Sequence, residues 1–299
     1  AFIKLTIRRN MMLSFQRDHF VNSEDLVFPY CDDISGTLRG YRIFTACGTV
    51  NGKIFRLEDH LNRLYKSAEQ IYMQPPCSRV ELTQILSDLV DRNQRISSEN
   101  QIIDIIFSGG LKDETMKQSG KGAHLYVVAQ PMVTPPLEFY ENGVTLATFS
   151  HQRMLPGVKL LNYIGAVIAH QTVVPKYQAY DTVFICPQDN KTILEGSTFS
   201  VFFVLKDGEI VTPPMDGRIL DSVTRRVLLE LLRPSKNITI TEEPVTLDQF
   251  PDFEEAFLAS TSRNVLPVIK LDDRVIGTGK PGPVTKEVMS ILNEYIRAY

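Results

Sequence analysis

The side chains in this 299-residue sequence whose types and settings could share one chemistry are a lysine, a glutamate, an arginine and two hydroxyl-bearing segments. Lysine forms a Schiff base with a carbonyl cofactor, and it needs partial burial or a neighbouring cation to lower its pKa. Lys159 follows Pro156-Gly157 and precedes the apolar Leu160-Leu161, so its amine should start at the edge of the core, at the opening of a helix. Glu195, in Leu194-Glu195-Gly196-Ser197, falls between two expected strands. An electron-sink cofactor needs an acidic partner there to keep its ring nitrogen protonated. Val223-Thr224 opens a helix, where unpaired N–H groups and the positive end of the dipole receive a phosphate. Thr261, in Ser260-Thr261-Ser262-Arg263, could add a hydroxyl, and Arg56 a charge-assisted bond. Taken singly, a lysine at a helix start is usually a surface residue, a glutamate between strands usually a solvated turn, and any capped helix offers an anion site.

The elements that must position these residues are legible as changes of hydrophobic period. Leu57, Leu61, Leu64, Ala68 and Ile71 recur at three- and four-residue spacing and predict a helix over 58–72, ended by Pro75-Pro76. Ser78 with Glu81 forms a capping box for a second helix burying Leu82, Ile85, Leu86 and Leu89. The period then changes to strand at 101–107, 125–130 and 144–149, punctuated by Gly109-Gly110 and Pro131, Pro135 and Pro136. The stretch 150–158 has no period and reads as a connection, which predicts a small α+β domain over 1–149 and a larger cofactor-binding domain over 159–299. In the latter, a helix over 161–174, a strand at 182–186 and a hairpin turning through Lys206-Asp207-Gly208 are expected. A helix from Asp221 or Ser222, strands at 238–241, 256–259 and 265–271, and an amphipathic helix over 284–296 complete it.

Composition bounds the partners. A formal net charge of −3 gives no global field to draw the chain onto nucleic acid or an anionic membrane. Cys31, Cys47, Cys77 and Cys186 have no paired spacing, which argues against a disulfide framework and against a zinc site, and favours a reducing cytoplasm; no metal is expected. Apolar stretches are broken within ten residues, and Lys4, Arg8 and Arg9 punctuate the N-terminal segment, so no membrane span or leader is expected.

The order of these segments resembles the class IV, fold-type IV aminotransferases, and the resemblance covers nearly the whole chain. Phe55-Arg56-Leu57-Glu58-Asp59-His60-Leu61-Asn62-Arg63-Leu64 is similar to the family segment with a phosphate-gripping arginine ahead of a His-Leu-x-Arg-Leu helix. Lys159-Leu160-Leu161-Asn162-Tyr163 looks like the cofactor-lysine segment, and Glu195-Gly196-Ser197 the strand with the ring-nitrogen partner. Leu220-Asp221-Ser222-Val223-Thr224-Arg225 is similar to the phosphate-binding helix start, and Ser260-Thr261 and Gly277-Thr278-Gly279-Lys280-Pro281-Gly282-Pro283 complete the series. The resemblance implies a two-domain α+β fold, pyridoxal 5'-phosphate on Lys159, and amino-group transfer between a small amino acid and a 2-keto acid by a homodimer. It further implies a phosphate held by Arg56, Val223, Thr224 and Thr261. Tyr163 would face the cofactor's phenolic oxygen, or be a core tyrosine with its hydroxyl at the edge.

Departures from the pattern bear on substrate. The strand Ile102-Ile103-Asp104-Ile105-Ile106-Phe107 carries Asp104 where many relatives hold the substrate carboxylate with arginine. Asp104 would be paired to an arginine or face a cationic part of the substrate. Arg42 could replace the missing anchor, with Phe44 beside it lining the substrate side. Thr45, Ser200 and Ser222 replace a glutamate, an asparagine and a glycine common in the family. Branched-chain amino acids are the first expectation and D-amino acids the second. The alternatives are an aminodeoxychorismate lyase-like elimination of pyruvate and a catalytically silent relative.

Overall fold

The computed structural model describes residues 12–110 and 122–299. The N-terminal reading on Lys4, Arg8 and Arg9 lies outside the described residues. The chain divides into two compact units, 1–133 and 134–299.

In the first unit, β1 (Leu13–Gln16) and β2 (His19–Asn22) lead to α1 (Ile34–Arg39), β3 (Arg42–Val50) and β4 (Lys53–Ile54). Then come α2 (Leu57–Gln70), α3 (Arg79–Gln94), β5 (Gln101–Ser108) and β6 (His124–Pro131). The strands form a sheet in the order β2-β1-β6-β5-β3-β4. Asn51-Gly52, both left-handed at φ 48° and 77°, form the two-residue turn between β3 and β4 that matches strand twist. That turn delivers the chain to α2, which buries Leu61, Leu64 and Ala68 on one stripe. Each of the two leucines contributes about 1.5–3 kcal/mol by leaving water. α3 starts at the expected capping box, with Ser78 Oγ accepting from the Glu81 N–H and the Glu81 carboxylate accepting from the Ser78 N–H.

The second unit opens with α4 (Leu137–Asn142) and β7 (Val144–Ser150), followed by α5 (Ile164–Tyr177), β8 (Asp181–Ile185), β9 (Thr192–Gly196), β10 (Ser200–Leu205) and β11 (Ile210–Thr212). It continues through α6 (Val223–Leu232), β12 (Ile240–Glu242), β13 (Val245–Thr246), β14 (Phe253–Ser260), β15 (Asn264–Leu271), β16 (Arg274–Val275) and α7 (Pro283–Ala298). Its sheet runs β12-β11-β10-β14-β15-β7-β8-β9-β13, with β16 on β15. β8, β9 and β11 are buried at every position and β10 at all but its last, the signature of strands covered on both faces.

The boundary between units differs from the one expected after residue 149. β7 pairs in parallel with both β8 and β15, so its apolar residues belong to the second core, and the division falls before α4. Parallel partners are set by distant segments, which a local period does not reveal. α5 also begins later than expected, at Ile164, leaving Lys159 in the irregular stretch ahead of it.

Candidate active site

The second unit holds Lys159, Tyr163, Glu195, Val223, Thr224 and Thr261, and Arg153 links the first three of them. Lys159, half-buried, donates from Nζ to the Tyr163 hydroxyl at 3.1 Å. Tyr163 is the residue that caps α5, and the Arg153 guanidinium lies 5.7 Å from its ring centroid. Arg153 Nε in turn lies 3.3 Å from Glu195 Oε1, and its NH2 group donates to the Gly196 and Ser197 carbonyls at 3.2 and 3.1 Å. The other carboxylate oxygen, Glu195 Oε2, accepts from the Leu220 N–H at 3.3 Å. Lysine, tyrosine, arginine, glutamate and the loop entering α6 therefore form a continuous chain of contacts.

Glu195 is no solvated turn residue. It lies in β9, 5% exposed, and the burial of a carboxylate is tolerated because Arg153 and the Leu220 N–H compensate its charge. Arg153 was invisible to sequence reasoning, since the stretch around Pro156-Gly157 has no period and an arginine there reads as solvated. A cavity of about 430 Å³ lined by His151, Arg153, Val158, Leu160 and Asn162 runs along the same stretch.

At the start of α6, Ser222 Oγ accepts from the Arg225 N–H at 3.4 Å as a helix cap. The N–H groups of the buried Val223 and Thr224 take no part in the described hydrogen bonds, as the geometry of a first turn requires. Thr261 occupies the β14–β15 turn, closed by Asn264 at φ 52°, a left-handed position that asparagine tolerates. Next to it the buried Ser260 Oγ has no hydrogen-bond partner among the described residues. Pyridoxal phosphate fits this donor set: a half-buried amine for its carbonyl, a fixed carboxylate for its ring nitrogen, and first-turn amides with an unspent hydroxyl for its phosphate.

The first unit holds the remaining candidates. Arg56, left-handed at φ 53° just before α2, pairs through Nε with Asp59 at 2.5 Å. Arg63, two turns further along, is 9% exposed and donates to Thr45 Oγ1 at 2.9 Å, where His60 Nδ1 also lies within 2.9 Å of that oxygen. The better-buried cation of the two is thus Arg63, a residue of the quoted segment to which no role was attached. Phe44 is 9% exposed on β3, and Asp104 sits on β5 opposite Ala46. Burial pushes the Cys47 thiol far above its usual range, with the Arg63 charge opposing and the Asp104 charge adding to that shift. Both charges are thus felt at the same buried position of β3.

Arg42 is engaged elsewhere. Its NH2 group donates to Asp33 Oδ2 at 2.7 Å and to Thr37 Oγ1 at 2.9 Å, and its Nε to Ser108 Oγ at 2.7 Å. Asp33, fully buried, also accepts from the Gly110 N–H, so this pair pins the Gly109-Gly110 turn. Arg42→Ala is expected to cost about 3–5 kcal/mol by stranding that carboxylate. Thermal melting checks this; a raised KM for amino acids with no loss of stability would instead assign Arg42 to substrate.

Among the described residues no helix is long and apolar enough to cross a membrane, and no cluster of side chains could hold a metal ion. The family model for class IV amino-transferases matches residues 42–271. A D-alanine aminotransferase of Staphylococcus aureus strain N315 is 31% identical over 287 residues, covering 95% of this chain and 98% of the relative. A putative branched-chain-amino-acid aminotransferase of Methanocaldococcus jannaschii is 29% identical over 276 residues, covering 90% and 91%. The fold matches that of the branched-chain amino acid aminotransferase from Thermobaculum terrenum in its PLP form, with a TM-score of 0.84 at 23% identity over 97% of this chain and 95% of that one. Since family model and relatives run through the same segments that assemble the Lys159–Glu195 contacts, the chain belongs to the class IV aminotransferase family and is a pyridoxal 5'-phosphate-dependent transaminase.

Proposed function

We propose that Lys159 carries the cofactor and that the enzyme moves an amino group between a small amino acid and a 2-keto acid. The observation that supports this most is the contact chain from the Lys159 amine through Tyr163 and Arg153 to the buried Glu195. When bound, pyridoxal phosphate supplies a carbonyl for the substrate amine and a ring that accepts the electron pair left by the departing α-proton. Lys159 would hold the cofactor's carbonyl carbon, and its Nζ would take that proton and return it. Tyr163 orients Nζ through its hydroxyl. Glu195, held by Arg153 and the Leu220 N–H, would keep the proton on the ring nitrogen. The Val223 and Thr224 N–H groups and the Thr224 and Thr261 hydroxyls receive the phosphate.

The resemblance to the family adds a charge-assisted phosphate contact from Arg56. Arg56, the assignment from sequence, stands just ahead of α2 with its Nε on Asp59, whereas Arg63 is buried and donates to Thr45. We expect Arg56→Ala to weaken cofactor affinity by about tenfold or more, for a charge-assisted contact of about 1.5–3 kcal/mol. Titrating wild-type and variant apoprotein with the cofactor and following its visible absorbance checks this; equal affinities would remove Arg56 from the phosphate site.

Branched-chain amino acids remain our first substrate class. D-amino acids are the second, favoured by the D-alanine relative at 31% identity. Bleaching of the bound cofactor's visible absorbance with L- and D-amino acids in turn tests both. Bleaching by neither, with pyruvate released from aminodeoxychorismate, would replace transfer with elimination.

We further propose a homodimer with α5 at its interface. Of this largely apolar helix only Gly165 and Ala169 are buried, and Ile164, Val167 and Ile168 are 62%, 53% and 46% exposed. A patch of that kind marks an interface. Val167→Asp with Ile168→Asp is expected to halve the mass measured by light scattering; an unchanged mass places the interface elsewhere. The four free thiols support a reducing, cytoplasmic location.

A further inference from the structure

Asp181 opens β8 and is 2% exposed, yet none of its described hydrogen bonds goes to Lys159 or Glu195. A carboxylate so deeply placed is costly unless its oxygens are spent. Here they are spent on three separate elements. Oδ1 accepts from the Ser197 hydroxyl at 2.6 Å and from its own neighbour's Thr182 N–H at 2.7 Å, and His170 Nε2 on α5 lies 2.9 Å away. Oδ2 pairs with Arg263 NH2 at 3.1 Å.

Each of these elements leads to a different part of the proposed cofactor seat. Ser197 follows Glu195 by two residues, and its N–H donates to the Thr182 carbonyl, so β8 holds the end of β9 from both backbone and side chain. Arg263 belongs to the β14–β15 turn that carries Thr261. Its other two nitrogens are bonded as well, Nε to the Tyr180 hydroxyl at 2.9 Å and NH1 to Thr198 Oγ1 at 2.7 Å, so the turn is held by a guanidinium that bonds through all three nitrogens. His170 lies on α5, the helix capped by Tyr163.

We propose that Asp181 is a positioning residue: through Ser197, Arg263 and His170 it sets the ring-nitrogen carboxylate, the phosphate turn and the helix behind the lysine in one fixed relation. The inference rests on the assignment of Lys159, Glu195 and Thr261 given above. Its physical ground is that a rigid cofactor with anchors at two ends is held well only if those anchors keep their spacing, and a buried ionic hub resists changes of spacing that a solvated contact would permit. Arg153 performs a related task, since it holds the Gly196 and Ser197 carbonyls along with Glu195.

The test uses the full chain, wild type and as Asp181→Asn, Ser197→Ala and Arg263→Gln, with the core variant Leu266→Ala as a matched destabilised control. Three quantities are read: the dissociation constant for pyridoxal phosphate from apoprotein fluorescence, the visible circular dichroism of the bound cofactor, and the separation of kcat from KM at saturating cofactor. Asp181→Asn is expected to weaken cofactor binding by about ten- to a hundredfold, the range commanded by outer residues that orient the ligands of a bound metal. It should change the amplitude of the visible dichroism and lower kcat more than KM. Ser197→Ala, a milder change should Asp181→Asn not fold, is expected to alter the dichroism with a smaller effect on affinity, and Arg263→Gln the reverse. The inference is overturned if these variants lose only thermal stability, with affinity and dichroism unchanged as in Leu266→Ala. Failure of the underlying assignment has a different mark: wild-type protein would then take up no cofactor that borohydride fixes to Lys159.

Discussion

Lys159→Ala should reduce transamination by more than about a thousandfold, because it removes both the covalent anchor and the group that moves the α-proton, and proton transfer by a placed side chain alone contributes about 10²–10⁴-fold. The loss should fall on kcat. Folding should survive, because Lys159 lies in irregular backbone, is only half-buried, and bonds at 3.1 Å to a hydroxyl whose tyrosine sits four residues away. Single-turnover kinetics with far-ultraviolet dichroism as a folding control measures this. Borohydride reduction of the loaded protein followed by peptide mapping should label Lys159 in the wild type and no other lysine in the variant. Normal turnover by the variant would remove the basis of the functional assignment.

The second large effect is expected at Glu195, and it separates chemistry from stability. Glu195→Ala leaves the Arg153 guanidinium, 13% exposed, without its carboxylate. Stranding one member of a buried pair costs about 3–5 kcal/mol, which in a chain of this size lowers Tm by about 5–8 °C. Glu195→Gln keeps an acceptor for Arg153 but cannot stabilise a positive ring nitrogen, so it should retain more of the Tm while kcat falls by about 10²-fold or more. The double variant Glu195→Gln with Arg153→Met tests the coupling: if Arg153 serves to keep the carboxylate ionised and placed, removing it from the Gln variant should add little to the loss of kcat. Independent, multiplicative losses would assign Arg153 a separate contact with cofactor or substrate. Equal kcat for Glu195→Gln and wild type would exclude the ring-nitrogen role.

Local chemistry was legible in the sequence wherever a few neighbouring residues decide the structure. The Ser78–Glu81 capping box, the apolar stripe of α2, the start of α6 at Ser222 and the β10–β11 hairpin depend on interactions within a few positions, and all stand where the pattern places them. The same holds for Val223 and Thr224, since the unpaired amides of a first turn follow from helix geometry alone. Long-range pairing was not legible. β9 is only five residues long and bounded by glycine, so Glu195 reads locally as a turn; its burial follows from β8 and β13 closing on either side.

Charges show the contrast most clearly. Arg42, Arg56, Arg63 and Arg153 are alike as letters in the chain, and nothing adjacent says which of them is spent on a structural carboxylate. Asp33 takes Arg42 and Asp59 takes Arg56, while Glu195 takes Arg153 from a distant part of the sequence. A guanidinium's role is set by which carboxylate and which dielectric surround it, and both are properties of the packed chain. The sequence by itself determined the locally decided elements, because these rest on hydrogen bonds and hydrophobic periods of short range, and it gave the family through the resemblance of its ordered segments. Only the tertiary structure decided which charges meet, where Glu195 is buried and how Asp181 joins the parts of the seat, because buried electrostatics depends on contacts between segments that the chain brings together last.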